Sequence, residues 1–395
     1  MQASNRKNLL ILAFALIVVT LGFGVVMPIV PFYMENLGAG GTELGLLVAS
    51  YAVMRLIFGP IWGSISDRVG RKPIMMIGVF GYGVTMVLFG LATKLWMLFA
   101  ARILAGILSS ATSPTTMAYI SDSTSEEDRG GGMGILGAAA GVGTIIGPAM
   151  GGLLAEKVLS LPFFIAGGMS VASVILIAIL LPESLPKADR VQSSVSENPI
   201  DLRAWWHALF SPIGIFLVLI FLVTGGMMIF YGVFGLYALE RFGYDTSQVG
   251  VLFMVLGLLS ALGQGLLVGP LTKHFGDMKV IRIGFPLSAI GLILVMLASQ
   301  YGTLIAALSF FSLANALLIP AITSQTSKHA DVPQGVAMGL SNSFISLGRI
   351  FGPILGGWVF DLDWRLTFIV GAIFMLAGFF VSIAKSQAHS SVSNQ

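Results

Sequence analysis

Twelve apolar stretches follow one another along this chain, separated for the most part by short polar breaks. Their approximate bounds are 8–34, 43–65, 74–92, 95–119, 131–155, 160–181, 213–237, 246–270, 280–299, 303–326, 335–358 and 366–384. A helix needs about 20 predominantly apolar residues to cross roughly 30 Å of hydrocarbon, and each stretch meets that length. Only 10% of the residues are charged, whereas a soluble surface is normally about a quarter to a third Lys, Arg, Asp and Glu. Lipid is therefore the expected solvent for most of the chain, and the short breaks leave no room for a soluble domain. The first stretch has the basic head of a secretory leader, but it continues past Pro28 without a small-residue cleavage site and reads as a membrane helix.

Charge placement sets the expected orientation. With the amino terminus inside, 14 of the 21 Lys and Arg residues fall on the cytoplasmic side and only Lys94, Lys157, Arg241 and Arg365 fall outside. Basic residues in short loops stay on the side of synthesis, so both termini are expected to be cytoplasmic. The same topology accounts for the net charge of +3 without nucleic acid. The longest polar segment, 182–212, divides the chain into an amino-terminal half (1–181) and a carboxy-terminal half (213–395) of six spans each. Its Ser, Pro and charge content reads as a flexible linker, and "LRAWWHALF" within it as an interfacial amphipathic helix.

The two halves repeat each other. "MENLGAGGTELGLL" (34–47) aligns with "LERFGYDTSQVGVL" (239–252), pairing Glu35 with Glu240, and "GTIIGPAMGG" (143–152) aligns with "GRIFGPILGG" (348–357). Gly63, Gly70 and Pro114 fall on Gly269, Gly276 and Pro320. Two parallel six-helix copies imply a pseudo-twofold axis along the membrane normal and a binding site near mid-membrane, as in a rocking transporter. The expected fold is an all-α membrane protein of twelve transmembrane helices in two pseudo-symmetric six-helix bundles.

The loop "GSISDRVGRK" resembles the signature loop of the major facilitator superfamily. "ARILAGI" is similar to that family's fourth-helix motif, and "GTIIGPAMGG" to the fifth-helix motif of its antiporters. "LGFGVVMPIVPFY" and "AYISDSTSEEDRG" resemble the twelve-helix drug:proton antiporter branch, the multidrug and tetracycline type of efflux protein. The resemblance implies a conformational latch of Asp67, Arg71 and Asp122 between halves of the bundle on the cytoplasmic face, with Arg68 and Lys72 beside it. Lipid anchoring by the same cations is the other reading of this cluster. The second copy has Lys273 and His274 at the Asp67 and Arg68 positions, so any latch there has to differ. Gly143, Gly147 and Gly151, with Gly152 and Pro148, put small residues on one helix face at spacing four, and Gly348, Gly352 with Pro353, and Gly356 repeat it. Such faces permit close helix approach, and the prolines permit a bend.

Three cations lie deep: Arg55, Arg102 and Arg349. A charged side chain at that depth is costly and usually faces a partner or a water-filled path. Arg55 and Arg102, with Tyr33, Tyr51, Tyr119, Tyr231, Asn315, Gln325 and Asn342, are the candidates for a substrate cavity. No acid lies mid-span, so Glu35, Asp122 and Glu240 at helix ends are the nearest candidates for proton coupling. A phosphate loop, a metal-spaced His cluster and a catalytic triad at a common depth are all missing from the sequence, and Cys is absent altogether. A lone "GYG" at 81–83 lacks the context of a potassium filter. The expectation is a monomeric, multi-pass cell-membrane protein without cofactor or metal. It would be no enzyme but a proton-driven exporter of small lipophilic molecules, with a nutrient importer or lipid translocase on the same fold as the alternative.

Overall fold

A computed structural model of the 395-residue chain describes the backbone of residues 3–190 and 202–392. In hydrocarbon, backbone N–H and C=O groups have to be satisfied within the segment, which favours helices. Among the described residues every regular element is helical: α1 (Ala3–Asn36), α2 (Gly41–Val69), α3 (Arg71–Gly90), α4 (Leu95–Ser109), α5 (Thr112–Ser123), α6 (Glu126–Ala155), α7 (Leu161–Leu180), α8 (Leu202–Leu209), α9 (Gly214–Phe242), α10 (Thr246–Leu262), α11 (Val268–Phe275), α12 (Asp277–Leu297), α13 (Tyr301–Ala316), α14 (Leu318–Lys328), α15 (Gln334–Leu362) and α16 (Trp364–Val392). Among the described residues twelve spans are long and apolar enough to cross a membrane. The fourth is α4 with α5, the eighth α10 with α11, and the tenth α13 with α14.

The breaks in these spans have local causes. The fourth span, expected as one helix over 95–119, is interrupted around Ser110 and Ala111, and the tenth around Leu317. Pro114 and Pro320 each sit third in the helix that follows, where a missing N–H costs least. The eighth span carries a wide turn at Gly263–Leu267, and α2, its counterpart in the repeat, has none. The fifth span starts earlier than the apolar run suggests. The Ser125 hydroxyl accepts the Asp128 N–H at 3.3 Å and opens α6 at Glu126.

The repeat extends to the backbone. Among the described residues all four with positive φ are glycines in matched positions, Gly38 (69°) with Gly243 (66°) and Gly70 (116°) with Gly276 (79°). Of the 182–212 segment, 191–201 lies outside the described residues, so its expected flexibility goes undescribed. The amphipathic stretch forms α8, with Trp206 exposed and edge-on to exposed Phe210 at 5.2 Å.

The chain forms two compact units, Met1–Gly38 with Ser50–Ile200 and Phe242–Met254, and Ala39–Ala49 with Asp201–Arg241 and Val255–Gln395. The first is cored by aliphatic side chains of α1, α3, α5 and α7, among them Leu12, Leu16, Met75, Val79, Ile120 and Ile177. The second has an aromatic core, in which Phe230 packs against Phe311 at 5.4 Å and Phe368 at 5.9 Å.

Candidate transport machinery

The charged loop folds into a corner around Arg71. Asp67 stands on the last turn of α2, and Gly70 turns the chain with a left-handed φ so that α3 starts at once with Arg71. The Arg71 guanidinium contacts Asp67 at 2.5 Å, donates to Asp122 at 2.9 Å and to the Ser66 hydroxyl at 2.6 Å. Asp122 comes from α5, so one buried cation ties α2, α3 and α5 together within the first unit. Lys72 donates to the Ala178 carbonyl of α7 at 2.7 Å, and Arg68 stands on the same turn as Asp67. Sequence reasoning missed Glu183 as part of this corner. Its carboxylate accepts the N–H groups of Arg71 (2.8 Å), Lys72 (3.2 Å) and Ser184 (3.1 Å), which satisfies donors that the start of α3 leaves open. The only sequence sign was an acid directly after the sixth apolar run.

The second unit contains the same corner with its charges exchanged. At an offset of 206, Arg71 falls on Asp277 and Asp122 on Lys328. Asp277, 7% exposed, opens α12 after Gly276 and accepts from Lys328 at 2.6 Å, from the Ser324 hydroxyl at 2.9 Å and from the Gln325 amide at 3.1 Å. The bond is there in both halves, with an acid at the helix start in one and a base in the other. Gln325, expected as a cavity residue, is thereby part of this corner.

The glycine faces meet helix backbones. A Cβ at Gly151 would stand 2.9 Å from Val25 Cα of α1, and one at Gly143 would meet the Ile17 carbonyl at 2.7 Å. In the second unit a Cβ at Gly348 would lie 2.8 Å from Gly225 N, and one at Gly352 2.7 Å from the Gly225 carbonyl, both on α9. The neighbouring glycines reach different helices. Gly152 abuts the Thr246 carbonyl and Gly250 of α10, while a Cβ at Gly250 would meet the Pro148 carbonyl at 2.5 Å. Gly357 abuts the Gly41 carbonyl at the start of α2, and Gly45 the Pro353 carbonyl. These are matched positions of the repeat. One addition is confined to the second unit. Asp361 accepts Gly41 N–H at 2.6 Å and Thr42 N–H at 2.8 Å, with the Thr42 hydroxyl on the same carboxylate, and so caps α2.

A polar cluster lies deep in the first unit. Arg102, 2% exposed, holds its guanidinium 4.7 Å from the Tyr51 ring centre and 5.6 Å from that of Phe23. The Tyr51 hydroxyl bonds Ser109 at 3.1 Å and is approached by Arg55, which is itself exposed. Arg55 and Arg102, expected as separate candidates, thus share Tyr51. The other expected cavity residues have partners or places of their own. Tyr119 donates to the Pro182 carbonyl at 2.8 Å, Tyr33 packs on Phe163, and Asn342 is exposed on α15. Asn315 is buried in α13 and Tyr231 stacks edge-on to Phe230 in α9, both in the second unit. Glu35 and Glu240 are exposed near the ends of α1 and α9. Among the described residues no group of His, Cys, Asp and Glu has the arrangement of a metal site.

The sequence profile of the Major Facilitator Superfamily matches residues 12–331 and 216–394. The chain belongs to the major facilitator superfamily. It is thus a multi-pass membrane transporter of small molecules and not an enzyme. It is 32% identical over 391 residues to Multidrug resistance protein 1 of Bacillus subtilis (strain 168), covering 98% of each chain. To the quinolone resistance protein NorA of Staphylococcus aureus (strain COL) it is 27% identical, covering 99% of each. Among solved structures, a bacterial homologue of the human lysosomal transporter Spinster, inward-facing and unoccupied, has a TM-score of 0.80 at 14% identity, with 98% of each chain covered. The human organic anion transporter MFSD10 has a TM-score of 0.68 at 21% identity, covering 97% of this chain and 100% of its own.

Proposed function

We propose that the chain exports small, lipophilic molecules, drugs or metabolites, across the cell membrane by proton antiport with alternating access. The observation that carries this reading is the likeness to a multidrug resistance protein along 98% of the chain. The glycine faces support it, because close, smooth helix contacts repeated in both halves suit segments that rock. On this reading the protein works as a monomer with both termini cytoplasmic, and residues 1–181 and 213–395 are the moving halves. The Arg71 corner then braces α2, α3 and α5 of the first half on the cytoplasmic face, in place of the latch between halves that the resemblance implied.

The coupling proton is assigned to Glu35, with Asp122 and Glu240 as the other carriers. The test uses inverted membrane vesicles energised with a proton gradient and the cationic dye ethidium. Uptake is expected in vesicles with the protein and not in protein-free controls, with collapse on adding a protonophore. Uptake that survives the protonophore would overturn proton antiport. In proteoliposomes, Glu35→Gln is expected to lose uphill, pH-driven transport and to keep downhill exchange. If it concentrates dye as well as the unaltered protein, Glu35 is not the carrier.

A further inference from the structure

Arg102 is buried in the first unit with a guanidinium nitrogen, Nη2, that has no hydrogen-bond partner. Two aromatic faces, Tyr51 and Phe23, balance part of its charge, but a ring face is only a weak acceptor for an N–H. A second orphan, the Tyr82 hydroxyl on α3, is buried within electrostatic reach of the Arg102 guanidinium. Orphaned polar atoms in a buried site call for a missing partner. The cluster contains donors and no carboxylate, and neither Arg55 nor Arg102 is in an ion pair among the described residues. An anion would supply acceptors for these donors and offset the two positive charges.

The arrangement also provides a way in. Tyr51 lies between the two arginines. Its ring lies near the Arg102 guanidinium, its hydroxyl meets Ser109, and Arg55 approaches that hydroxyl from an exposed position halfway along α2. An anion arriving at Arg55 finds an exposed cation first, then a phenol O–H, then a buried guanidinium already desolvated. A carboxylate takes such donors as charge-assisted bonds, and the planar fork of Arg suits its two oxygens. Phe23 lies 5.7 Å from the Tyr51 ring and Met54 packs against Gly106 beside it, apolar contacts that suit a ligand with a hydrophobic body.

We propose that Arg55, Tyr51 and Arg102 form an anion-accepting subsite that takes the carboxylate of an amphiphilic substrate. This rests on the export reading given above for the kind of molecule that reaches the site. The test keeps the two apart by measuring binding to purified protein in nanodiscs, with no gradient. The probes are rhodamine B, which carries a free carboxylate, and its ethyl ester, which is otherwise the same dye. Unaltered protein is expected to bind the acid about tenfold more tightly, the equivalent of one charge-assisted hydrogen bond. In Arg55→Gln that ratio falls towards one, and in Arg55→Lys it is largely kept. Because Arg102→Gln removes a buried packing residue and risks misfolding, Tyr51→Phe serves as the second variant and lowers the ratio too. Equal affinity for the two dyes in unaltered protein, no binding of either, or a ratio unchanged in Arg55→Gln overturns the subsite. Absence of energised ethidium uptake overturns the export reading instead.

Discussion

At the scale of single residues, the Gly70 turn shows how tightly the charged corner is specified. Its φ of 116° is in the region that side chains avoid, and a Cβ there would approach the Glu183 carboxylate at 2.5 Å. Gly70→Ala therefore strains the backbone and pushes away the group that caps α3, at an expected cost of roughly 1–3 kcal/mol. A clear drop in the thermal unfolding midpoint in detergent, with no drop for Gly63→Ala, is the expected result. Gly63 has open space where its Cβ would go. The Asp67–Arg71–Asp122 set was expected only through the resemblance of the loop to the family's signature, and the structure brings the three charges together. Glu183 was not legible, since it comes from the end of the sixth span and only the fold brings it to α3.

Helix elements read from the sequence mainly through small residues, and this is where face matters more than glycine content. On α6, Gly143, Gly147 and Gly151 look onto α1 backbone, whereas Gly137 and Gly141 look onto nothing within 4 Å. Gly147→Ala and Gly151→Ala are expected to abolish dye uptake while Gly137→Ala and Gly141→Ala retain it, measured in vesicles at matched protein level. Loss in both groups would make the effect one of helix propensity and not of contact. The cap on α2 makes a separate case. Asp361 satisfies two N–H groups and a hydroxyl there. Asp361→Ala should loosen that tip and raise the maleimide labelling rate of a cysteine introduced at Leu44, which is 1% exposed. No native cysteine competes for the label. An unchanged labelling rate would show that the glycine contacts hold the tip unaided. Spacing predicted the glycine faces, but which helix each glycine meets depends on tertiary packing.

Taken whole, the molecule is a repeat whose symmetry was readable in outline and incomplete in detail. Twelve spans and the matched glycines followed from apolar run length and from self-alignment. The broken fourth and tenth spans did not, because α4 and α5 form one apolar run in the sequence and only the turn at Ser110 separates them. The exchanged corner also escaped notice, since Lys273 and His274 drew attention to the loop while the acid had moved to Asp277. Swapping that pair, Asp277→Lys with Lys328→Asp, is expected to recover dye uptake lost in Asp277→Lys alone, where two ammonium groups would face each other. Uptake equally low in single and double variants would mean that Ser324 and Gln325 carry the corner. The exchange has a further consequence for the gene itself. Any crossover that spliced α12 in place of α3 would bring Asp277 against Asp122, carboxylate to carboxylate, and the reverse splice would set Arg71 against Lys328. The two copies have become incompatible spare parts, and the chain has lost the freedom to repair one half from the other.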